Sequence, residues 1–440
     1  MPRRLDASLA IPLAACALLA AAPTPAGAAV HAFVGARVLP IAGPEIPDGV
    51  LVVDGARIVA VGARGEVAVP EGAEVHDVAG KVILPGLVDT HTHLGEVEGA
   101  DRSDPIQPEV RALDAVDVRS SDFQRAQAGG ITTVNVMPGS GHLMSGQTIY
   151  LKLREGDTIE ELAVRRADGA IAGGMKMANG TNSRRDPPFP GTRAKSAALV
   201  REAFVEAQEY RRKLDAVGDP AKRPDRDLGK EALLEVLDGT RTVHHHTHRH
   251  DDVMTVLRLR DELGFRVVLH HVSDAAKVAE EIAAAGVPVS LILIDSPGGK
   301  LEARDLLLEN AAALERAGAT VALHTDDWIT DSRLFLRMAA LAVRAGMSRR
   351  GALEAVTIRG AEILDLGDRV GSLEPGKDAD FVVLSGDPLS VYTEVLETWV
   401  EGEKVFDRTR EPDRLWAEGG RGAGDPRRGH VACFDGEAGR

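Results

Sequence analysis

Cysteine is all but missing from this chain: Cys16 and Cys433 are its only two. Should an N-terminal leader take Cys16 with it, the single thiol left could not close an intramolecular disulfide, so cross-links do not hold this fold together. Aromatic side chains are scarce as well, at 3%, and a core must therefore be packed from Ala, Val, Leu and Ile. No basic stretch offsets the formal net charge of -15. That balance sets aside nucleic acids and anionic membranes as partners, because binding either needs a local cationic patch strong enough to overcome repulsion. A stable membrane span is also missing, since the apolar run at 9–22 is too short for one.

What is present first is a leader. Arg3 and Arg4 precede the apolar run, and Ala26-Gly27-Ala28 has the small-x-small form of a signal-peptidase site. Residues 1–28 are thus expected to be a signal peptide, with export to the periplasm or the extracellular space. Leu13-Ala14-Ala15-Cys16 also has the form of a lipoprotein box. The apolar run continues past Cys16 to Ala22, which weighs against an anchor there.

The rest is read around Lys81-Val-Ile-Leu-Pro-Gly-Leu-Val-Asp89-Thr-His91-Thr-His93-Leu-Gly95. An apolar strand delivers two histidines at i, i+2, and side chains alternate along a strand. His91 and His93 therefore project to one side, close enough to share a metal ion. A helix would need i, i+4 instead. Alone the pair says little, and its weight depends on further ligands at later strand ends.

Short β-branched runs separated by Gly, Pro and Asp turns fill residues 30–84, and Asp54-Gly55 is the chemistry of a tight hairpin. A matching set lies at 370–384 and 395–406. Neither set is stable alone, so 30–84 and 367–408 are expected to form one small β-sandwich domain. Between them, 85–366 alternates apolar strands with helical patterns at 197–214 and 251–263. The strand ending at His93 and seven more, at 130–137, 148–153, 169–177, 240–246, 265–271, 287–294 and 319–326, predict an α/β fold with a (β/α)8 TIM barrel. Residues 409–440, rich in Arg, Gly and Glu, read as a disordered tail.

In such a barrel the site lies where strands end. Lys176 ends the fourth strand, and the fifth carries Val243-His-His-His-Thr-His-Arg-His, where alternation puts His244, His246 and His248 on one face. The sixth ends at His270-His271, and the eighth at His324-Thr325-Asp326-Asp327. Seven of the 14 histidines fall between 244 and 271. Nitrogen and carboxylate donors of this kind suit zinc and similar divalent ions. Competing readings are a pairing role for Lys176 and a helix cap at Asp326, with Asp327 free for the cap. Gly139, Gly141 and Gly146 read as backbone-shaping residues, since no phosphate-binding lysine follows them.

Pro-Gly-Leu-Val-Asp-Thr-His-Thr-His, the later histidines, His324-Thr-Asp326 and the closing Gly371-Ser-Leu-Glu-Pro-Gly-Lys-Asp-Ala-Asp-Phe-Val-Val-Leu-Ser-Gly-Asp-Pro388 together resemble the amidohydrolase superfamily. The similar branch is that of imidazolonepropionase and metal-dependent prolidases. Segments 138–147 and 174–180 resemble a secreted group within it, which continues Gly-Glu-Asn-Pro where this chain has Gly180-Thr181-Asn182-Ser183. The resemblance implies His91 and His93 as ligands of a first metal, His246 and His271 as ligands of a second, and Asp326 as ligand and general base. Lys176 matches a position that carries a carboxylated, metal-bridging lysine in some relatives. One zinc or two are thus implied, two only if Lys176 is a carbamate. His248, His270 and His324 are left as orienting or oxyanion-stabilising groups.

The expected activity is cleavage of a C–N bond in a small amide, cyclic amide or short peptide by a metal-bound hydroxide. The alternative is a metal-binding barrel without catalysis. Arg184, Arg185 and Arg193 are candidates to clamp a substrate carboxylate. Neither substrate nor oligomeric state is readable.

Overall fold

The computed structural model describes residues 29–97, 99, 101–218, 223–293, 300–327 and 329–419. The expected signal segment, Cys16, Cys433 and the chain beyond 419 lie outside these.

The first strands are β1 (Val30–Val38), β2 (Ile46–Asp54), β3 (Arg57–Ala63), β4 (Glu74–Asp77) and β5 (Val82–Pro85). Strands β2 and β3 form the hairpin anticipated from Asp54-Gly55: Asp54 pairs with Arg57, and Gly55 turns the chain at φ +52°, a conformation that costs glycine little. Next come β6 (Leu87–Thr92), β7 (Ile131–Val136), β8 (Met144–Gln147), β9 (Ile149–Lys152), β10 (Met175–Ala178), β11 (Val243–Thr247), β12 (Val267–His271), β13 (Val289–Leu291) and β14 (Val321–Leu323). Last are β15 (Phe381–Leu384), β16 (Val395–Val400) and β17 (Glu403–Asp407).

Strands from both ends of the chain share one sheet, ordered β17-β16-β15-β5-β1-β2-β3 with β4 alongside β1. The two terminal segments thus contribute to one eight-stranded sheet, as their expected sharing of a small β domain requires. Phe33, Leu51, Phe381 and Trp399 fill its core.

The inner strands form a six-stranded sheet, β14-β13-β12-β11-β10-β8, and a three-stranded one, β6-β7-β9. They are buried on both faces, which explains their continuous apolar runs. Eight parallel strands were expected, and here the structure differs. The segment 144–152 runs antiparallel to both neighbours, β8 against β10 and β9 against β7. Only seven residues separate β7 from β8, too few for the helical crossover that a parallel return needs. At the opposite edges, β6 meets the end of β14 through Asp326 N–H to His91 O (2.9 Å) and His93 N–H to Asp327 O (3.2 Å).

Helices follow the strands. Arg193–Asp215 and Leu228–Leu237 are capped by Thr192 and Asp227, whose side chains accept from Lys195 N and Lys230 N. His250–Leu263 and Asn310–Ala317 stop at Gly264 and Gly318, both left-handed. A helix also occupies Glu411–Glu418, inside the stretch read as disordered. Its high charge masked a short amphipathic pattern, and Trp416 and Ala417 pack against the main core.

The Lys-Asp-Ala-Asp segment ties the two layers together. Lys152 on β9 donates to Asp380 Oδ2 (2.5 Å) and Asp378 Oδ2 (3.2 Å), all three side chains being 1% exposed. Arg57 and Arg369 add further pairs to Asp378, while Asp380 has Glu401 N–H as its other donor. Burial pushes the Asp380 carboxyl up and the Lys152 ammonium opposes that shift. Replacing Lys152 by Met leaves Asp380 as a buried charge without a counter-ion, and the expected loss is about 3–5 kcal/mol. Denaturant unfolding measures it; an unchanged midpoint contradicts a buried ionic tie here.

Candidate active site

The strand ends bring His91, His93 and Asp326 together, their ligand atoms all within 4.8 Å of one another. Asp326 Oδ1 lies 3.0 Å from His93 Nε2 and 3.3 Å from His91 Nε2. Lys176 Nζ is 3.0 Å from His91 Nε2. His271 joins from β12, grouped with His91 and His324, and its ring lies 4.3 Å from that of His246. A further group combines His246, His248 and Glu302. Every residue singled out from the strand ends thus lies in one connected cluster.

Two of these positions are held in unfavourable backbone. His271 has φ +73° and Asp326 has φ +51°, a left-handed conformation that costs an L residue about 1–3 kcal/mol. At Asp326 the hydrogen bond to His91 O holds it. At the residue after His271, Val272 N–H donates to Thr247 O (2.9 Å). Asp89 supplies the strongest local constraint. Its carboxylate accepts from His91 N (3.1 Å), from Thr325 N (3.2 Å) and from Thr325 Oγ1 (2.5 Å). Asp327 accepts from Ser332 N and Oγ, so it caps the turn that follows and leaves Asp326 free.

Ring tautomers can be read from partners. His93 Nδ1 lies 2.7 Å from the carbonyl of Met137, which only accepts; the proton is on Nδ1 and the Nε2 lone pair faces Asp326. His91 Nε2 can face the cluster in the same way if Nδ1 carries the proton and donates to His270 Nδ1 (3.3 Å). His270 Nε2–H then donates to His244 Nδ1 (3.0 Å), and His244 Nε2–H to Tyr150 Oη (3.0 Å). His324 is held through Ser290 (2.7 Å), itself 2.6 Å from Thr90, and His248 through Ser273 (2.7 Å). His270 is thus bonded at both ring nitrogens, whereas His248 keeps Nε2 without a partner among the described residues.

Burial disfavours the charged form of eight of these imidazoles. It pulls His244, His248 and His324 down to about 3, His245 to about 4, and His91, His246, His270 and His271 well below their ordinary value. For Asp326 burial raises the pKa, but its close neighbours His93, His324 and Lys176 outweigh it and hold the carboxyl below its ordinary value. Lys176 is driven down to about 7 by burial, partly opposed by Asp326.

The donor set fits a divalent cation. His246 has neither ring nitrogen partnered, and His248 Nε2 and His271 Nε2 are likewise buried without a hydrogen bond among the described residues. Each such atom costs about 1–3 kcal/mol if left so. Neutral nitrogens with free lone pairs beside an ionised carboxylate are what a zinc-like ion takes as ligands.

Glu302 did not emerge from the sequence. It stands on a short helical turn after β13 and accepts from Thr181 N (2.9 Å), Thr181 Oγ1 (2.5 Å) and Arg193 (3.3 Å). Position 181 is where the resembling group has a glutamate; here the carboxylate beside that turn comes from 121 residues downstream. Arg193 also holds Asp252 at 2.8 and 2.9 Å, so it neutralises buried acids and is not free to clamp a substrate. Arg184 donates to Gly180 O, and Arg185 lies 3.9 Å over the Phe189 ring.

If the imidazole chain fixes the His91 tautomer, His270→Phe weakens metal binding by about 10–100-fold, with Tyr150→Phe weaker in effect. His270→Gln restores part of the loss through its carbonyl. Chelator competition reads these constants, and wild-type affinity in His270→Phe removes the chain from any role in ligation.

The comparisons with known proteins agree with this geometry. The profile of the amidohydrolase family matches residues 82–408. An amidohydrolase, tasK, of Hapsidospora irregularis is 29% identical over 77% of this chain, which spans 38% of that longer protein. The imidazolonepropionase of Pseudomonas putida is 28% identical over 77% of this chain and 87% of its own. A crystal structure of an amidohydrolase from Thermotoga maritima superposes with a TM-score of 0.79 at 33% identity, covering 86% of this chain and all of the other. The chain belongs to the amidohydrolase family of hydrolases.

Proposed function

We propose that this chain hydrolyses a carbon–nitrogen bond in a small amide, cyclic amide or short peptide, with metal held at the cluster of His91, His93, Lys176, His246, His271 and Asp326. The two inner sheets are read together as one (β/α)8 barrel, with the site at its strand ends. The observation that carries this reading is the ionised Asp326 carboxylate 3.0 Å from a histidine nitrogen whose lone pair is free, beside buried imidazoles without partners. The likeness to an enzyme named imidazolonepropionase supports a cyclic amide among the substrates.

One or two divalent ions, zinc first, would polarise the substrate carbonyl and acidify water at this place. Asp326 takes the proton of the attacking water and returns it to the departing nitrogen, the step an amide most needs. Its low pKa keeps it ionised, and therefore ready as a base, at and below neutral pH.

Lys176 has two states with different consequences. As an ammonium it donates to His91 Nε2, the lone pair a metal would use. As a carbamate it becomes an anionic ligand and supports two ions. Because its amine is pushed down to about 7, the neutral form that reacts with carbon dioxide becomes the majority as pH rises through that value.

Lys300 is exposed at the surface, and its ammonium donates to the neutral Asn182 Oδ1 (2.6 Å). Its pKa is lowered by partial desolvation, and Glu302 and Asp326 are the anions that oppose this. It is the better placed cation to receive a substrate carboxylate, now that Arg193 is accounted for.

The test is a panel of N-acyl amino acids, dipeptides and cyclic amides with zinc added to purified protein. Turnover that is lost with chelator and restored with zinc is expected for at least one class, and none in any class overturns the proposal. Asp326→Asn lowers kcat by about 10²–10⁴-fold; wild-type turnover in that variant ends its role as base. Bound zinc is expected to rise by up to one ion per chain when bicarbonate is supplied above pH 7, in the wild type and not in Lys176→Ala. Equal metal content in both removes the carbamate.

A further inference from the structure

A second group of metal donors lies on the eight-stranded sheet, outside the catalytic cluster. Strands β1 and β4 run parallel, with His31 opposite Glu74 and Phe33 opposite His76. Alternation along each strand then puts His31 and Phe33, and Glu74 and His76, on one face. His31 Nδ1 lies 3.0 Å from His76 Nε2. Glu74 approaches each ring nitrogen to 3.7 Å, through Oε2 for His31 and Oε1 for His76.

The two rings are within hydrogen-bond distance of each other, and the separations of all three groups also suit a shared ion. Zinc bound tetrahedrally at about 2.0–2.2 Å by nitrogen and oxygen sets its ligand atoms roughly 3.3–3.5 Å apart. The two ring nitrogens at 3.0 Å, and the two carboxylate oxygens each 3.7 Å from one of them, bracket that value. At 3.7 Å the carboxylate is too distant to accept a hydrogen bond from either ring, yet it supplies the negative charge a cation needs.

The rings are braced from behind. Phe33 stacks on His76 with centroids 4.5 Å apart, and Trp399 sets its edge against His31 at 5.3 Å and His76 at 5.6 Å. Both histidines are mostly covered, with 16% and 19% of their side chains exposed, whereas Glu74 is 62% exposed. The site is thus rigid on the imidazole side and open to solvent on the carboxylate side, leaving room for water as a fourth ligand.

We propose that His31, Glu74 and His76 form a second transition-metal site, of the two-histidine, one-carboxylate type, that fastens β4 to β1. Strand β4 lies off the main path of the sheet and, among the described residues, pairs only with β1, over four residues. An ion held by one ligand from β1 and two from β4 joins the strands along this four-residue ladder.

The experiment uses the full chain with its catalytic metal already loaded and adds zinc, then in a separate series nickel. Equilibrium dialysis is expected to show one more zinc per chain in the wild type than in His76→Ala. Nickel, a paramagnetic quencher, is expected to dim Trp399 fluorescence in the wild type and not in that variant. Because His76→Ala also removes a ring stacked on Phe33, Glu74→Gln serves as the milder change. It is expected to weaken the additional zinc by tenfold or more while the melting temperature without added metal and the hydrolytic turnover stay at wild-type values. Equal zinc stoichiometry in wild type and His76→Ala, or undiminished affinity in Glu74→Gln, overturns the site. These readouts do not depend on turnover, so failure of the catalytic proposal leaves them intact.

Discussion

The His91–His93–Asp326 cluster depends on a buried carboxylate that stands behind it. Asp89 binds the backbone of His91 on its own strand and both the backbone and hydroxyl of Thr325, 236 residues away. His91 and His93 stand on one side of that clasp and Asp326 on the other. The ladder between β6 and the end of β14 is only a bridge and two backbone bonds, so the clasp does much of the work of closing this edge. It is also costly: burial pushes Asp89 up to about 7 against the hydrogen bonds that lower it. Its folded pKa thus exceeds the unfolded value near 3.8, and its contribution to stability is full below about pH 4 and lost as pH rises through about 7.

A second constraint is desolvation. Among the described residues, His91, His244, His246, His270, His271 and His324 are nearly or wholly inaccessible, and a charged imidazole there is prohibitively expensive. They are held neutral, which leaves one lone pair per ring to be placed. Where hydrogen bonds place it, as at His93 and His248, the ring is fixed and the other nitrogen points into the cluster. Where none do, as at His246, the structure carries polar atoms that a cation would satisfy. Left-handed backbone at His271 and Asp326 belongs to the same account, since it is retained where neighbouring hydrogen bonds over-determine it.

This explains which features were legible beforehand. Two-residue alternation is a local property, so it could pair His91 with His93 and separate His245, which turns back to the His246 carbonyl, from the rings beside it. Between His270 and His271 the strand pattern had no preference, and what distinguishes them in space is partners: His270 is bonded at both nitrogens, whereas His271 Nε2 is open. Features set by distant segments stayed hidden. Nothing near Asp89 announces Thr325, and nothing near Thr181 announces Glu302. The antiparallel course of 144–152 depends on a connection length rather than on composition, and the helix at 411–418 was concealed by its charge.

The direction of the imidazole chain is the last step. A carbonyl fixes His93 outright, but His91 has another histidine as its partner, and an imidazole can either give or take a proton. Only if every ring passes its hydrogen the same way, from His91 to His270 to His244 to Tyr150, does His91 present a lone pair at Nε2. Reversing one link would put a proton on the nitrogen that faces Asp326. The chain therefore couples a ligand at the strand ends to a phenol deep in the core, where burial raises the Tyr150 hydroxyl well above its usual range and keeps it protonated. The orientation of the ring at the strand ends is accordingly fixed from below by buried groups, while Lys300 and the Thr181–Glu302 contact lie on loops outside that chain.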